Sequence, residues 1–413
     1  MKLANKVELL APAGNQEKLK IAILYGADAV YIGIDGYSLR GSAGSFKLGD
    51  LPAAVTFAHR HEVKAYIALN IFAHNQDFDS LPEILRVVAK SKADAIIVSD
   101  PGIFYQVRHI LPRLPVHIST QANTTNRYAA EFWRDQGAKR VTLARELSLP
   151  EISLIAGRSG LETEVFVHGA MCISYSGRCF LSKYLAGRDA NLGDCAHSCR
   201  WKYHLMEEKR SGEFLPVFED RRGSYIFNSK DLRLAAFIPD LIKAGVSSFK
   251  IEGRMKSLHY VATVVRVYRS IVDNYYKLGK DFSFKREWLY ELEKVSHRRY
   301  STGFLDGESE LEANENSTYI RRYDFVGLVE ECRLNSGRLL VGVRNRLRIG
   351  DELEALMPNG NIMSFKLETI ILGGEDVLEA HANDKIEIIT NKPVMAGSIL
   401  RRSNTSIKET DMN

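Results

Sequence analysis

Four of the chain's five cysteines, Cys172, Cys179, Cys195 and Cys199, fall within 28 residues of one another. They lie in the stretch HGAMCISYSGRCFLSKYLAGRDANLGDCAHSCRWKY. Thiols concentrated in this way suit disulfides, a zinc site or an iron–sulfur cluster. The N-terminal MKLANKVELLAPAG has no long apolar core and no small-residue cleavage site, so it does not read as a secretory signal. No stretch reaches the ~20 apolar residues that span a bilayer. The expected setting is the cytoplasm, away from membranes, where thiols stay reduced and disulfides are rare. Structural zinc sites pair their ligands about two to four residues apart. Here the gaps are six, fifteen and three residues, and only Cys195 with Cys199 resembles such a pair. Irregular gaps with Gly177, Gly187 and Gly193 between them suit a loop wrapped around a larger object. A 4Fe–4S cube takes one thiolate per iron. The spacing therefore favours a cluster held by all four cysteines, with zinc or buried free thiols as alternatives. Cys332 stands alone in VGLVEECRLN and reads as an ordinary core or surface thiol.

A second set of reactive residues recurs just after short apolar runs. It comprises Asn70, Asp100, Ser119, Gln121, Arg145, Glu146, His168, Lys250, Glu252 and Arg254. Arg145 and Arg254 can clamp a carboxylate through bidentate bonds. His168 and Glu252 are the candidate acid–base groups. Asn70 and Gln121 complete a polar substrate-binding set. Trp201 lies among the cations of CRWKYH, where an aromatic ring can stack a base. Hydrolase signatures are missing: the chain has no HExxH and no GxSxG.

These residues need a scaffold that brings strand ends together. Apolar runs occur at 7–14, 29–33, 64–70, 95–100, 116–121, 140–146, 163–169 and 248–254. Their uniform apolarity fits strands buried on both faces. Amphipathic stretches lie between them, several opening with Asp or Ser followed by Pro, a helix-start signal. One such helix is expected over 229–245 and another over 258–276. Eight strand–helix repeats without a GxGxxG after the first strand predict a (β/α)8 TIM-like barrel, with an open doubly wound sheet as the second choice. The expected domains are a barrel over 1–276 with a Cys-rich insertion at 170–228 after strand seven, a connector over 277–319, a small C-terminal antiparallel β-barrel over 320–405 and a disordered tail over 406–413. Barrel active sites sit at the C-terminal strand ends, so the cysteines and the polar set should be neighbours.

The composition is that of an ordinary globular protein, 45% hydrophobic and 26% charged over 413 residues. A net charge of +5 does not by itself imply a nucleic-acid partner. The local basic runs RDQGAKR (134–140), HRRY near residue 300 and RNRLR (344–348) read first as solvated surface charge.

The segments ELLAPAGN, GADAVYIG, STQANTTN, VFVHGAMCISYSGRCFLS, RDANLGDCAHSCRWKY and NSKDL with KIEGRMKS resemble peptidase family U32. They span residues 8–257, and GAMCxxxxGxC is the most specific of them. The trailing β-rich part is similar to that family's C-terminal domain. The resemblance implies that Cys172, Cys179, Cys195 and Cys199 hold a 4Fe–4S cluster. It points most closely to the branch that hydroxylates C5 of the tRNA wobble uridine, with prephenate as cosubstrate and a dependence on the iron–sulfur assembly machinery. Two other expectations stay open: a collagenase-type peptidase, which the family's name reflects, and a non-enzymatic RNA-binding protein whose metal only orders the loop.

Overall fold

The run ELLAPA forms the first strand, β1 (Glu8–Ala13), and every residue of it is buried. The same holds for β2 (Ala29–Gly33), β4 (Ala95–Val98), β5 (Val116–Ile118), β6 (Arg140–Thr142) and β8 (Ser248–Ile251). Only the ends of β3 (Lys64–Leu69) and β7 (Glu162–Ala170) reach solvent. Burial on both faces requires a sheet that is covered outside and filled inside. Each strand pairs in parallel with the next, and β8 pairs with both β7 and β1, closing the ring. The protein is thus a (β/α)8 barrel, as the strand–helix alternation predicts. The computed structural model describes residues 6–38, 45–171, 230–306, 319–333 and 337–404, with isolated positions and short strands between 182 and 225.

The outer helices are α1 (Gln16–Leu24), α2 (Leu51–Arg60), α3 (Leu81–Ser91), α4 (Pro101–Ile110), α5 (Arg127–Asp135), α6 (Leu149–Arg158), α7 (Ile238–Lys243) and α8 (Leu258–Leu278). Their starts are written in the sequence. Proline occupies the first turn of α2, α3, α4, α6 and α7, where its missing N–H leaves nothing unpaired. Asp100 caps α4 by accepting the Ile103 N–H at 2.9 Å. Ser148 and Glu151 form a capping box on α6.

The stretch 229–245 departs from expectation. It is not one helix. Asp231–Arg233 is a short strand that runs antiparallel to the end of β7, with Asp231 opposite Ala170 and Arg233 opposite His168. The helix starts only at Ile238, because Pro239 fits no helix interior. Asp231 is also claimed by Arg298, whose guanidinium pairs with its carboxylate at 2.8 Å. Strand pairing and this buried ion pair override local helix preference.

Residues beyond α8 fold back onto the barrel through α9 (Arg286–Leu292) and a two-residue strand, Tyr300–Ser301, beside Asp231 and Leu232. The C-terminal part is an eight-stranded antiparallel sheet between Tyr323 and Ser403, with its own apolar core. Cys332 packs at the edge of that core. Arg401, fully buried, joins the sheet to the barrel side by pairing with Glu291 of α9 and with Glu354 at 2.8 Å. No helix among the described residues is long and apolar enough to cross a membrane.

The barrel is filled in two layers. An apolar layer of Leu10, Tyr31, Tyr66, Ala68 and Ile97 occupies its middle. At the N-terminal strand ends lies a charged layer. Arg140 pairs with Glu8 at 2.5 Å, Glu162 at 2.9 Å and Glu164 at 3.2 Å. Glu8 also accepts from Tyr66 Oη at 2.7 Å, and Glu164 accepts from Thr142 Oγ1 at 2.8 Å. Burial opposes charge on Glu164, but Lys250 and Arg140 outweigh it and hold the carboxyl down to about 2. Arg140, Glu8, Glu164 and Lys250 are buried, so each of these charges depends on its partners.

Candidate active site

At the C-terminal mouth of the barrel, Tyr31, Asn70, Ser119, Gln121, Arg145, Phe166, Lys250, Glu252 and Arg254 line one pocket. Seven of the residues singled out from sequence, Asn70, Ser119, Gln121, Arg145, Lys250, Glu252 and Arg254, therefore converge, carried by the ends of β3, β5, β6 and β8 or the turns that follow them. Gln121 is fixed as an acceptor hub: its Oε1 receives Asn70 Nδ2 at 3.1 Å and Ser119 Oγ at 2.5 Å. Arg145 donates from Nη1 to the carbonyl of Ala170 at 2.8 Å and lies over the Phe166 ring, 4.0 Å from its centroid. Arg254 crosses the end of β2 and donates to Ser38 Oγ. It can do so only because residue 33 is glycine, since a Cβ there would occupy the space of the guanidinium.

Lys250 is the pocket residue whose partner the sequence did not reveal. Its ammonium reaches from the pocket to Glu164 at 2.9 Å and is flanked by the rings of Tyr31 and Phe166. It thereby links the mouth to the charged layer below. Tyr31 donates to the Ile251 carbonyl at 3.0 Å and sits 3.5 Å from Glu252 Oε2. The wall thus presents three cations and one carboxylate around bound amides and aromatic faces. This chemistry suits a polar ligand carrying carboxylates.

His168 lies elsewhere. Strict alternation along β7 would turn it inward with Glu164 and Phe166. The pairing with β8 slips instead, Lys250 facing Phe166 and Ile251 facing His168, so that β7 has one extra residue. A bulge of this kind redirects the side chains that follow. His168 points outward among Tyr260, Tyr268 and Tyr300, with Tyr268 Oη 3.3 Å from Nδ1. Burial lowers its pKa to about 3. Nearby, Asp231, Arg298 and the His297–Tyr300 stack complete a buried polar cluster. Half of the HRRY run is therefore packed inside: His297 and Arg298 are each 3% exposed, while Arg299 faces solvent.

The other basic runs are neutralised. Within 134–140, Arg140 is a barrel-interior residue and Lys139 pairs with Glu162. Arg346 and Arg348 share Glu379, and Arg344 pairs with Glu17.

Cys172, Cys179, Cys199 and Trp201 lie outside the described residues. Cys195 is half-buried, and the N–H of the adjacent Ala196 donates to Ser182 Oγ at 2.8 Å. What the structure fixes is the root of this segment. Met171 follows the Ala170 that Arg145 holds, and Asp231 pairs with Ala170 from the other side. The cysteine stretch leaves and rejoins the barrel beside the pocket.

A model of peptidase family U32 matches residues 14–315, and one of the U32 C-terminal domain matches 321–401. The chain belongs to peptidase family U32. It is 39% identical over 404 residues to tRNA hydroxylation protein P1 of Bacillus subtilis, covering 97% of this chain and 96% of that one. Against tRNA hydroxylation protein P of Escherichia coli it is 39% identical over 408 residues, covering 88% of each. The 23S rRNA 5-hydroxycytidine C2501 synthase of Escherichia coli is 32% identical over 392 residues, which cover 92% of this chain and 57% of that protein.

Proposed function

We propose that this protein is an RNA hydroxylase acting on tRNA, at C5 of the wobble uridine, with a prephenate-like dicarboxylate as cosubstrate. The observation that carries the reading is the near full-length similarity to the two tRNA hydroxylation proteins. The pocket chemistry supports it: Arg145, Arg254 and Lys250 offer donors to a polyanionic small molecule, and Glu252 is placed to exchange a proton with it. Hydroxylation at a base edge needs the base unstacked, and an anticodon loop offers this at least cost. In this reading Cys172, Cys179, Cys195 and Cys199 would hold a 4Fe–4S cluster, which supplies electron transfer or Lewis-acid chemistry when bound. Its assembly would draw on the cell's iron–sulfur machinery. In this reading His168, buried among tyrosines, serves to hold β7 against α8 and does not meet the substrate. A peptidase reading receives no support at the mouth. Among the described residues lining the pocket there is no histidine, and Ser119 is committed to Gln121.

Nucleoside mass spectrometry of tRNA from a deletion strain tests the function. The 5-hydroxyuridine derivatives should disappear in a strain without a paralogue, and their persistence would refute it. Cys172→Ala should abolish both the modification and any iron-dependent absorption of anaerobically purified protein. Retained modification would remove the metal from the mechanism. Arg254→Met should weaken binding of a dicarboxylate about 10- to 100-fold in calorimetry, the loss expected for one charged hydrogen bond. Unchanged affinity would place the anion site elsewhere.

A further inference from the structure

A second cavity lies far along α8 from the barrel mouth, where α8, α9 and the C-terminal sheet meet. It holds about 370 Å³, within the size range of small-molecule sites. Its walls are mostly apolar, formed by Val267, Trp288, Leu356 and Ile362, with Tyr290 at the rim, 61% exposed.

The charges in this cavity are unequal in their pairing. Glu291 and Lys294 are committed to each other, to Arg401 and to Glu354. Arg266 has no carboxylate within ion-pair distance among the described residues. Its one side-chain hydrogen bond there runs from Nη2 to the Asn359 carbonyl at 2.7 Å, and its buried Nε has no acceptor. Glu287 stands at the exposed edge and forms no ion pair with Arg266. Burial lowers the pKa of Arg266, with Asp273 opposing the shift from beyond ion-pair distance. Such a group costs free energy unless something completes it. The backbone is also shaped around it. Gly360, at φ 90°, lets the hairpin press against the guanidinium, where a Cβ would collide with Nε. One face of Arg266 is thus held rigidly, and the pocket lies before the other.

We propose that this seam is a second ligand site, which takes a small carboxylic acid with an aromatic or branched apolar body, its carboxylate on Arg266 and its body between Trp288, Tyr290 and Ile362. The site draws walls from the barrel helices and from the C-terminal sheet, so an occupant ties the two parts together. It does not depend on the hydroxylase reading.

The probe is 4-bromobenzoate, with 4-bromobenzyl alcohol as its neutral isostere, on the full chain. The acid should raise the melting temperature saturably by a few degrees and the alcohol should not, because binding only the folded form stabilises it. Arg266→Met keeps the apolar stem and should weaken binding at least about tenfold, the scale of one charged contact. Anomalous diffraction from co-crystals with wild-type protein should place bromine at the seam, which decides the matter even if the variant does not fold. Equal effects of acid and alcohol, an unchanged affinity in Arg266→Met, or bromine at the barrel mouth alone would overturn the proposal.

Discussion

Lowering the pH from 7 to 5 should strip this protein of a large part of its stability, well before its carboxylates titrate. Four histidines, His117, His168, His259 and His297, are each no more than 4% exposed. Burial lowers the pKa of all four, that of His168 to about 3. In the unfolded chain a histidine takes its proton near pH 6.5. Below that value the unfolded state binds protons that the folded state refuses, so stability falls as pH falls from 6.5 towards the folded value. For His168 alone the loss between pH 7 and 5 is about 2 kcal/mol, at ~1.4 kcal/mol per pH unit. The other three act in the same direction, and about 2 kcal/mol is already a sizeable part of the ~5–15 kcal/mol stability of an ordinary domain. Glu164 adds a second loss only lower, between its unfolded range near 4.5 and about 2. Urea unfolding at a series of pH values measures this directly. A free energy that stays flat between pH 7 and 5 would mean that these histidines are protonated in the folded state. His168→Gln should lower the slope of that dependence by about one proton.

Arg140→Met should destabilise the barrel by about 3–5 kcal/mol, the cost of leaving buried charge without its partner. The substitution keeps bulk in the barrel but takes from Glu8 and Glu164, 8% and 1% exposed, the guanidinium they share, leaving Glu8 to Lys64 at 3.3 Å and Glu164 to Lys250 at 2.9 Å. Glu162 is nearer the surface and can turn to Lys139, with which it already pairs at 3.2 Å. Pairing Arg140→Met with Glu164→Gln should recover about 1–3 kcal/mol relative to the sum of the single changes, since contacting residues do not act additively. Guanidinium unfolding of the four proteins completes the cycle. A loss below about 1 kcal/mol for Arg140→Met would show that water reaches the charged layer and solvates it.

Much of the fold was legible in the sequence because barrel strands buried on both faces leave continuous apolar runs. The runs overshot their strands at 95–100, 116–121 and 140–146, where polar residues such as Asp100 belong to helix caps and turns. The whole stretch 229–245 looked helical because the pairing that makes Asp231–Arg233 a strand comes from residues over 60 positions away. The mouth pocket was legible as a set, since position at a strand end fixes where Asn70, Gln121, Arg145, Glu252 and Arg254 point. His168 belonged to the same set by counting, but one bulge reversed it, and no local residue pattern announces a bulge in a parallel pair. The partnership of Lys250 with Glu164, and of Arg140 with Glu8, was invisible for the same reason as the Arg298–Asp231 pair. Charge complementarity across the chain leaves no periodic trace. A basic run such as HRRY looks the same whether it faces water or a buried aspartate.

The antiparallel pairing of Ala170 with Asp231 has one more consequence. It fixes both ends of the intervening stretch as direct cross-strand neighbours, a separation set by the sheet and not by whatever is strung between them. Loop-closure entropy grows only slowly with length, so lengthening, shortening or replacing that stretch should disturb the ring of strands very little. The sequence that holds the four cysteines thus begins and ends at one fixed point, and replacing it should leave that socket, pinned by Asp231 and Arg298, in shape.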